Sequence, residues 1–162
     1  IDFKKKLKKV FMKLSELIVR DGEGATKLIE IDVLNARNKK DAKLFAKSIA
    51  NSSLVKTAIH GSDPNWGRII MALGKTYINM NTKRIKVYYG KYLLIKNGTA
   101  NSRISDSLIS SYLRKDNINI TVDLGLGSKS SRALTCDLSK QYIDINASYK
   151  TWKMYSVLVV FY

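Results

Sequence analysis

The sequence predicts a two-layer or sandwiched α+β domain, and three observations carry that prediction. Amphipathic helical runs and alternating strand-like runs both occur, without a regular strand–helix–strand rhythm. The apolar share is 45% and proline occurs once, a globular composition rather than a disordered one. The 162 residues suffice for one domain with a real core, and no internal repeat or linker divides them.

Phe3 to Val19 reads as a helix. Leu7, Val10, Phe11, Leu14, Leu17 and Ile18 recur at helical spacing, and lysines take the opposite face. The segment Arg20-Asp21-Gly22-Glu23-Gly24-Ala25-Thr26-Lys27 follows, with one carboxylate, Glu23, between two glycines. Glycine lets a ligand come close to the main chain. A carboxylate held there is a candidate anchor for a cationic group; the plain alternative is a helix C-cap and turn.

Thr26 to Val33 alternates as a strand does. Lys39 to Ile49 forms a second amphipathic helix, with Ala42, Leu44, Phe45, Ile49 and Ala50 on its apolar side. Ser52 to Ile59 reads as a short strand or extended lead-in. His60-Gly61-Ser62-Asp63-Pro64-Asn65-Trp66-Gly67-Arg68 has loop composition, and Ile69 to Leu73 a short buried helix after it.

Ile85 to Tyr89 and Tyr92 to Ile95 are strand-rich runs broken by Gly90, and Asn97-Gly98 is a turn signal. Ser105 to Leu113 has helical spacing. Asn119 to Asp123 and Arg132 to Leu138 read as a hairpin across Gly125-Leu126-Gly127-Ser128. With Lys129 that turn superficially resembles a phosphate loop. It lacks the Walker spacing and precedes a strand instead of a helix, so it is assigned as a turn. Tyr142, Ile143, Ile145 and Asn146 mark a short final helix.

Lys and Arg total 29 against 13 Asp and Glu, a formal net charge of +16. Such a charge is the footprint of nucleic-acid binders. Here the basic residues are scattered, with one dense cluster from Lys4 to Lys9, and neither zinc-finger spacing nor an RNP-like aromatic strand accompanies them. Compositional drift in a Lys-, Ile- and Asn-rich chain accounts for the charge better, and no specific nucleic-acid partner is expected. Cys136 is the only cysteine, which excludes an internal disulfide or a multi-cysteine metal site and fits a reducing, cytoplasmic compartment. His60 is the only histidine and reads as a structural or surface residue. No apolar run reaches the ~18 residues a membrane span needs, so no membrane partner is expected. No secretory signal opens the chain, and the abrupt Ile1-Asp2-Phe3 start reads as that of a fragment.

Four segments, in order, carry a resemblance. They are Ile18-Val19-Arg20-Asp21-Gly22-Glu23-Gly24-Ala25-Thr26-Lys27, then Ser53-Leu54-Val55-Lys56-Thr57-Ala58, then Gly61-Ser62-Asp63-Pro64-Asn65-Trp66-Gly67-Arg68. The last is Cys136-Asp137-Leu138 with Tyr142-Ile143-Asp144-Ile145-Asn146-Ala147-Ser148-Tyr149-Lys150-Thr151. Together they resemble the C-terminal part of the second (beta) chain of the ornithine acetyltransferase, or glutamate N-acetyltransferase, family of bifunctional arginine-biosynthesis proteins. The resemblance covers about residues 10–151, and the Asp-Pro-Asn-Trp-Gly-Arg loop is its most specific part.

What the resemblance implies is an α+β fold with a mixed β-sheet sandwiched with helices. Family members cut themselves into two chains, and the freed N-terminal threonine of the second is the nucleophile, its own amine serving as base. The first chain supplies an oxyanion hole. An acetyl group moves from N2-acetylornithine to that threonine and then to glutamate. The parent is expected to assemble as an alpha2beta2 heterotetramer. No metal and no cofactor is implied, with acetyl-CoA open as a substrate of the parent. Glu23, Asn146 and Thr151 match substrate-binding positions: Glu23 to pair with an ammonium group, the other two to hydrogen-bond polar substrate groups. Asp63, Asn65 and Arg68 are expected to be structural, one of the first two fixing the turn and Arg68 pairing with a buried carboxylate.

The chain departs from the family in two ways. The alpha chain and the start of the beta chain are missing, and with them the nucleophile. Thr26, Thr57, Thr121 and Thr135 lie in strand-like contexts and do not replace it, so no catalytic residue is expected within the chain, and the chain alone is expected to be inactive. Residues 152–162 form an atypical apolar, β-prone tail beyond Thr151, where the family stops. A frameshifted or read-through end explains it most simply, with an extra edge strand or oligomer contact as the alternative. Two other functional readings remain: a basic nucleic-acid-binding module, and a non-catalytic structural fragment.

Overall fold

The computed structural model describes residues 2–148. Thr151 and the tail at 152–162 lie outside the described residues. Among the described residues thirteen elements build one six-stranded sheet with helices packed on it. The first helix, α1 (Asp2–Arg20), carries the predicted stripe, yet none of its residues is buried. It lies along the last strand and leaves Phe3, Val10, Phe11 and Ile18 more than half exposed.

Strand β1 (Leu28–Ala36) puts Ile29, Ile31 and Val33 into the core at 0% exposure. It starts two residues later than its apolar alternation suggests, because the Thr26 and Lys27 amides donate to the Asp137 carboxylate and not to a neighbouring strand. Helix α2 (Lys39–Ala50) is capped by Asn38, whose side chain accepts from the Asp41 amide. It buries Ala42, Phe45, Ala46, Ile49 and Ala50 against β1 and the last strand. Leu44, expected on this face, is exposed instead.

Ser52 to Ile59 is a helix and not a strand: α3 (Ser53–His60). Its β-prone residues are overruled by two features. The Ser52 side chain caps the Val55 amide, and Val55, Ala58 and Ile59 fall on one buried helical face. Helix α4 (Trp66–Gly74) takes Trp66, Gly67 and Arg68 out of the expected loop as its first turn and buries Ile69, Ala72 and Leu73.

After a 3₁₀ turn at Thr82–Arg84 come β2 (Lys86–Tyr89), β3 (Tyr92–Lys96) and the two-residue β4 (Thr99–Ala100). Asn97 (φ 56°) and Gly98 (φ 77°) make the predicted turn, both in the left-handed region a two-residue hairpin loop requires. Helix α5 (Asp106–Leu113) is capped by Ser105. Strands β5 (Asn117–Asp123) and β6 (Lys129–Cys136) and helix α6 (Lys140–Ser148) finish the described chain.

The strand order is β4-β3-β2-β5-β1-β6. β1 runs parallel to β5 and antiparallel to β6, so the sheet is mixed. The expected β5–β6 hairpin is therefore not formed, because β1 lies between the two strands. Their connection wraps the end of β1: the Leu126 and Gly127 amides both donate to the Asn35 carbonyl, at 2.7 and 2.8 Å. A side chain at Gly127 would meet the Ala36 carbonyl oxygen at 2.5 Å, which is why the crossover needs glycine there.

One sheet face carries the core, where Ile29, Ile31, Val33, Val87, Ile118, Ile120 and Val122 meet Phe45, Ile69, Leu73, Ile109 and Leu113. The other is polar. Arg132 spans Asp32 (2.7 Å) and Glu30 (3.1 Å), and Asn119 Nδ2 donates to the same two carboxylates at 3.0 and 3.1 Å. α1 covers part of this face and forms an open groove with Arg132 and Leu134.

Candidate functional site

The glycine turn and α6 meet at the β1–β6 end of the sheet. Gly24 has φ +65°, and a Cβ there would lie 2.6 Å from the Tyr142 amide nitrogen. Only glycine combines that backbone angle with so close an approach. The docked turn brings Glu23 to Asn146, whose Nδ2 donates to Glu23 Oε2 at 2.7 Å and to the Tyr142 carbonyl at 2.9 Å. Both side chains are solvent-exposed. Glu23 Oε1 and Asn146 Oδ1 accept no hydrogen bond among the described residues. The pair thus presents a negative charge and a neutral acceptor side by side, a surface suited to an ammonium group. Thr151, the third expected position, lies outside the described residues.

Beneath the turn sits a group to which sequence reasoning gave no role. Asp137 is 3% exposed. Its Oδ1 accepts from the Thr26 and Lys27 amides, both at 2.8 Å. Its Oδ2 accepts from Thr26 Oγ1 at 2.6 Å and from His60 Nδ1 at 2.7 Å. Burial pushes this carboxyl up, but the hydrogen bonds from Thr26, His60 and Lys27 outweigh burial and hold it below the usual carboxylate value. A carboxylate acceptor assigns the proton to His60 Nδ1. His60 thereby closes the hydrogen bonding of Asp137.

Lys27 is the second tether. Its Nζ donates to the Ile59, His60 and Leu113 carbonyls and to Ser62 Oγ, at 2.7–3.3 Å. It gathers the C-terminal ends of α3 and α5, where the helix dipoles favour a cation. Desolvation lowers its pKa against the pull of Asp137 and Asp116.

The Asp63–Arg68 loop stands apart from this network as scaffold. Asn65 Nδ2 reaches Asp63 Oδ2 at 3.3 Å. Arg68 does not find the expected buried carboxylate. Its nearest one is Asp63, 45% exposed and 3.9 Å away, and its guanidinium donates to the Leu54 carbonyl and Thr57 Oγ1, tying α4 to α3. The threonines are also corrected: Thr57 lies in α3 and Thr26 precedes β1, while Thr121 and Thr135 lie in strands. Among the described residues, no group of three or more His, Cys, Asp or Glu side chains is placed to hold a metal ion, and no helix is long and apolar enough to cross a membrane.

A model of the ArgJ family matches residues 1–151. The chain is 42% identical over 150 residues to the arginine biosynthesis bifunctional protein ArgJ of Brucella suis biovar 1 (strain 1330), covering 93% of this chain and 36% of that protein. It is 46% identical over 149 residues to the protein of that name from Bacillus subtilis (strain 168), covering 92% and 36%. The crystal structure of ArgJ from Bacillus halodurans superposes with a TM-score of 0.88 at 41% identity, over 91% of this chain and 70% of that one. The chain therefore spans about a third of the length of these curated relatives. These matches run through both the glycine turn and the final helix that meet at the site, and the chain belongs to the ArgJ family.

Proposed function

We propose that this chain is the C-terminal part of the beta chain of an ornithine acetyltransferase, which moves an acetyl group from N2-acetylornithine to glutamate in arginine biosynthesis. The observation that carries this reading is the pairing of Glu23 with Asn146, two exposed polar groups from opposite ends of the chain. Glu23 takes an ammonium group of ornithine. Asn146, and Thr151 beyond the described residues, hydrogen-bond its remaining polar groups.

In this reading the nucleophile is a threonine hydroxyl outside the chain. Its oxygen adds to the acetyl carbonyl, the amide C–N bond breaks, and the ornithine amine leaves with the proton taken up by the threonine's own amine. The amine of glutamate then attacks the acyl ester, and breakage of the C–O bond restores the hydroxyl. The sequence of steps needs no cofactor and suits the cytoplasm. Acetyl-CoA would enter only as a substrate of the whole enzyme.

The partner is the remaining part of the parent, the alpha chain with the start of the beta chain, in an alpha2beta2 assembly. Two observations support it. The curated relatives extend far beyond the matched region, and α1 leaves Phe3, Val10, Phe11 and Ile18 more than half exposed among the described residues.

The test is an acetyl-transfer assay with N2-acetylornithine and glutamate. The chain alone is expected to show no turnover, and the same chain produced together with the rest of the parent to show it. Appreciable turnover by the chain alone would overturn the placement of the nucleophile.

A further inference from the structure

Both parts of the Glu23–Asn146 pair are attached to one tripeptide, residues 137–139. Asp137 holds the turn side, accepting from the Thr26 and Lys27 amides and from the Thr26 hydroxyl. Ser139 Oγ donates to the Gly24 carbonyl at 2.6 Å and accepts from the Tyr142 amide at 3.2 Å. It therefore grips the turn and the first turn of α6 at once. Leu138 between them donates its amide to the Lys56 carbonyl of α3 at 3.4 Å, and His60 at the end of the same helix closes on Asp137.

A purely structural carboxylate at the end of β6 would need only to pair with β1. This one does more. Regular β1–β6 pairing stops at Leu28↔Cys136. Beyond that point the Asp137 amide still donates to the Lys27 carbonyl at 3.3 Å, while the Thr26 and Lys27 amides both turn to the Asp137 side chain. A carboxylate there fastens the turn by its side chain as well as by the main chain. It does so for the turn that carries Glu23.

We propose that Asp137 is a positioning residue of the substrate site, which, together with Ser139, fixes Glu23 against Asn146 in the geometry that receives the substrate ammonium group. This proposal rests on the reading of Glu23 as a substrate-binding residue. Asp137 touches no substrate. It acts through Thr26, Lys27 and the turn, and His60 completes its hydrogen bonding.

The test uses the assembled parent enzyme and steady-state kinetics with N2-acetylornithine. Asp137→Asn is expected to raise KM about tenfold with kcat changed less than about threefold, because the chemistry lies elsewhere. In a Glu23→Gln background the same change should add less than about twofold, since its effect runs through Glu23. Ser139→Ala should raise KM in the same direction, and Ser139→Thr, which keeps the hydroxyl, should restore it. Unchanged KM in both Asp137→Asn and Ser139→Ala, beside a raised KM in Glu23→Gln, overturns the positioning role and leaves the reading of Glu23 standing. Unchanged KM in Glu23→Gln overturns that reading itself. If Asp137→Asn does not fold, the Ser139 pair decides: a KM raised by Ala and restored by Thr supports the proposal, and a KM indifferent to both overturns it.

Discussion

Glu23 and Asn146 stand 123 residues apart in the chain and share a 2.7 Å hydrogen bond. Neither is buried, so the bond adds little to stability; its effect is to orient. A carboxylate on a glycine turn would otherwise sample several rotamers. The bond commits one carboxylate oxygen to Asn146, while the other accepts no hydrogen bond among the described residues.

Glu23→Gln is therefore expected to spare the fold and impair the site. A hydrogen bond to a charged group contributes roughly 1.5–3 kcal/mol, so kcat/KM for N2-acetylornithine in the assembled enzyme should fall about ten- to hundredfold. Thermal unfolding of the variant should match the parent. Unchanged kinetics would return Glu23 to the role of a turn residue.

Gly24→Ala tests the turn from the other side. Alanine must adopt φ +65° and bring its Cβ to within 2.6 Å of the Tyr142 amide. Strain of this kind costs on the order of 1–3 kcal/mol, and the close approach adds to it by pushing α6 away. Urea unfolding should show a clear loss, and limited proteolysis should find α6 loosened. A variant as stable as the parent would contradict the docked position of the turn.

Ile31→Ala probes the core. Ile31 is fully buried on β1, opposite Ile120 on one side and Ala133 on the other. Truncating such a side chain costs about 2–5 kcal/mol. Chemical denaturation of the two proteins side by side measures this, and a loss below about 1 kcal/mol would indicate a looser packing than described.

Acid stability is expected to depend on Asp137. Its carboxyl is lowered in the fold, so its contribution is fully present above the unfolded value near pH 4 and is lost as pH falls through the folded value. Unfolding free energy measured from pH 6 downward should decline on that limb. In Asp137→Asn the stability should be lower at neutral pH and the acid decline shallower. An identical decline in both proteins would exclude Asp137 as its source.

The elements legible in the sequence were those with long, clean periodicity. α1 and α2 show it, and so does the alternation of β1. α3 was not legible by composition: Val55, Thr57 and Ile59 favour strands, and the outcome was decided by a serine cap and by burial of one face. The hairpin expectation failed for a different reason. A glycine-rich link between two strands says nothing about whether a third, formed some 90 residues earlier, will lie between them. At the site, Glu23 and Asn146 were marked by resemblance. Asp137 lies in one of the four resembling segments, yet its role is not legible there, because its partners, Thr26 and Lys27, lie 111 and 110 residues away. Only folding brings them within hydrogen-bonding distance.

The insertion of β1 between β5 and β6 also governs when this protein can fold. β1 and α2 leave the ribosome well before either neighbour of β1: the first pair in the register is Leu28 with Asn117, and the other side closes at Cys136. Until then Ile29, Ile31 and Val33 lack both strands that flank them, and the nascent chain carries an unpaired apolar strand. Closure of so long a loop is slow, and it offers the waiting strand to other chains. Folding rate and yield should thus be limited by the arrival of residues 117–136, and a chaperone that shields β1 during that interval would raise the yield without altering the final stability.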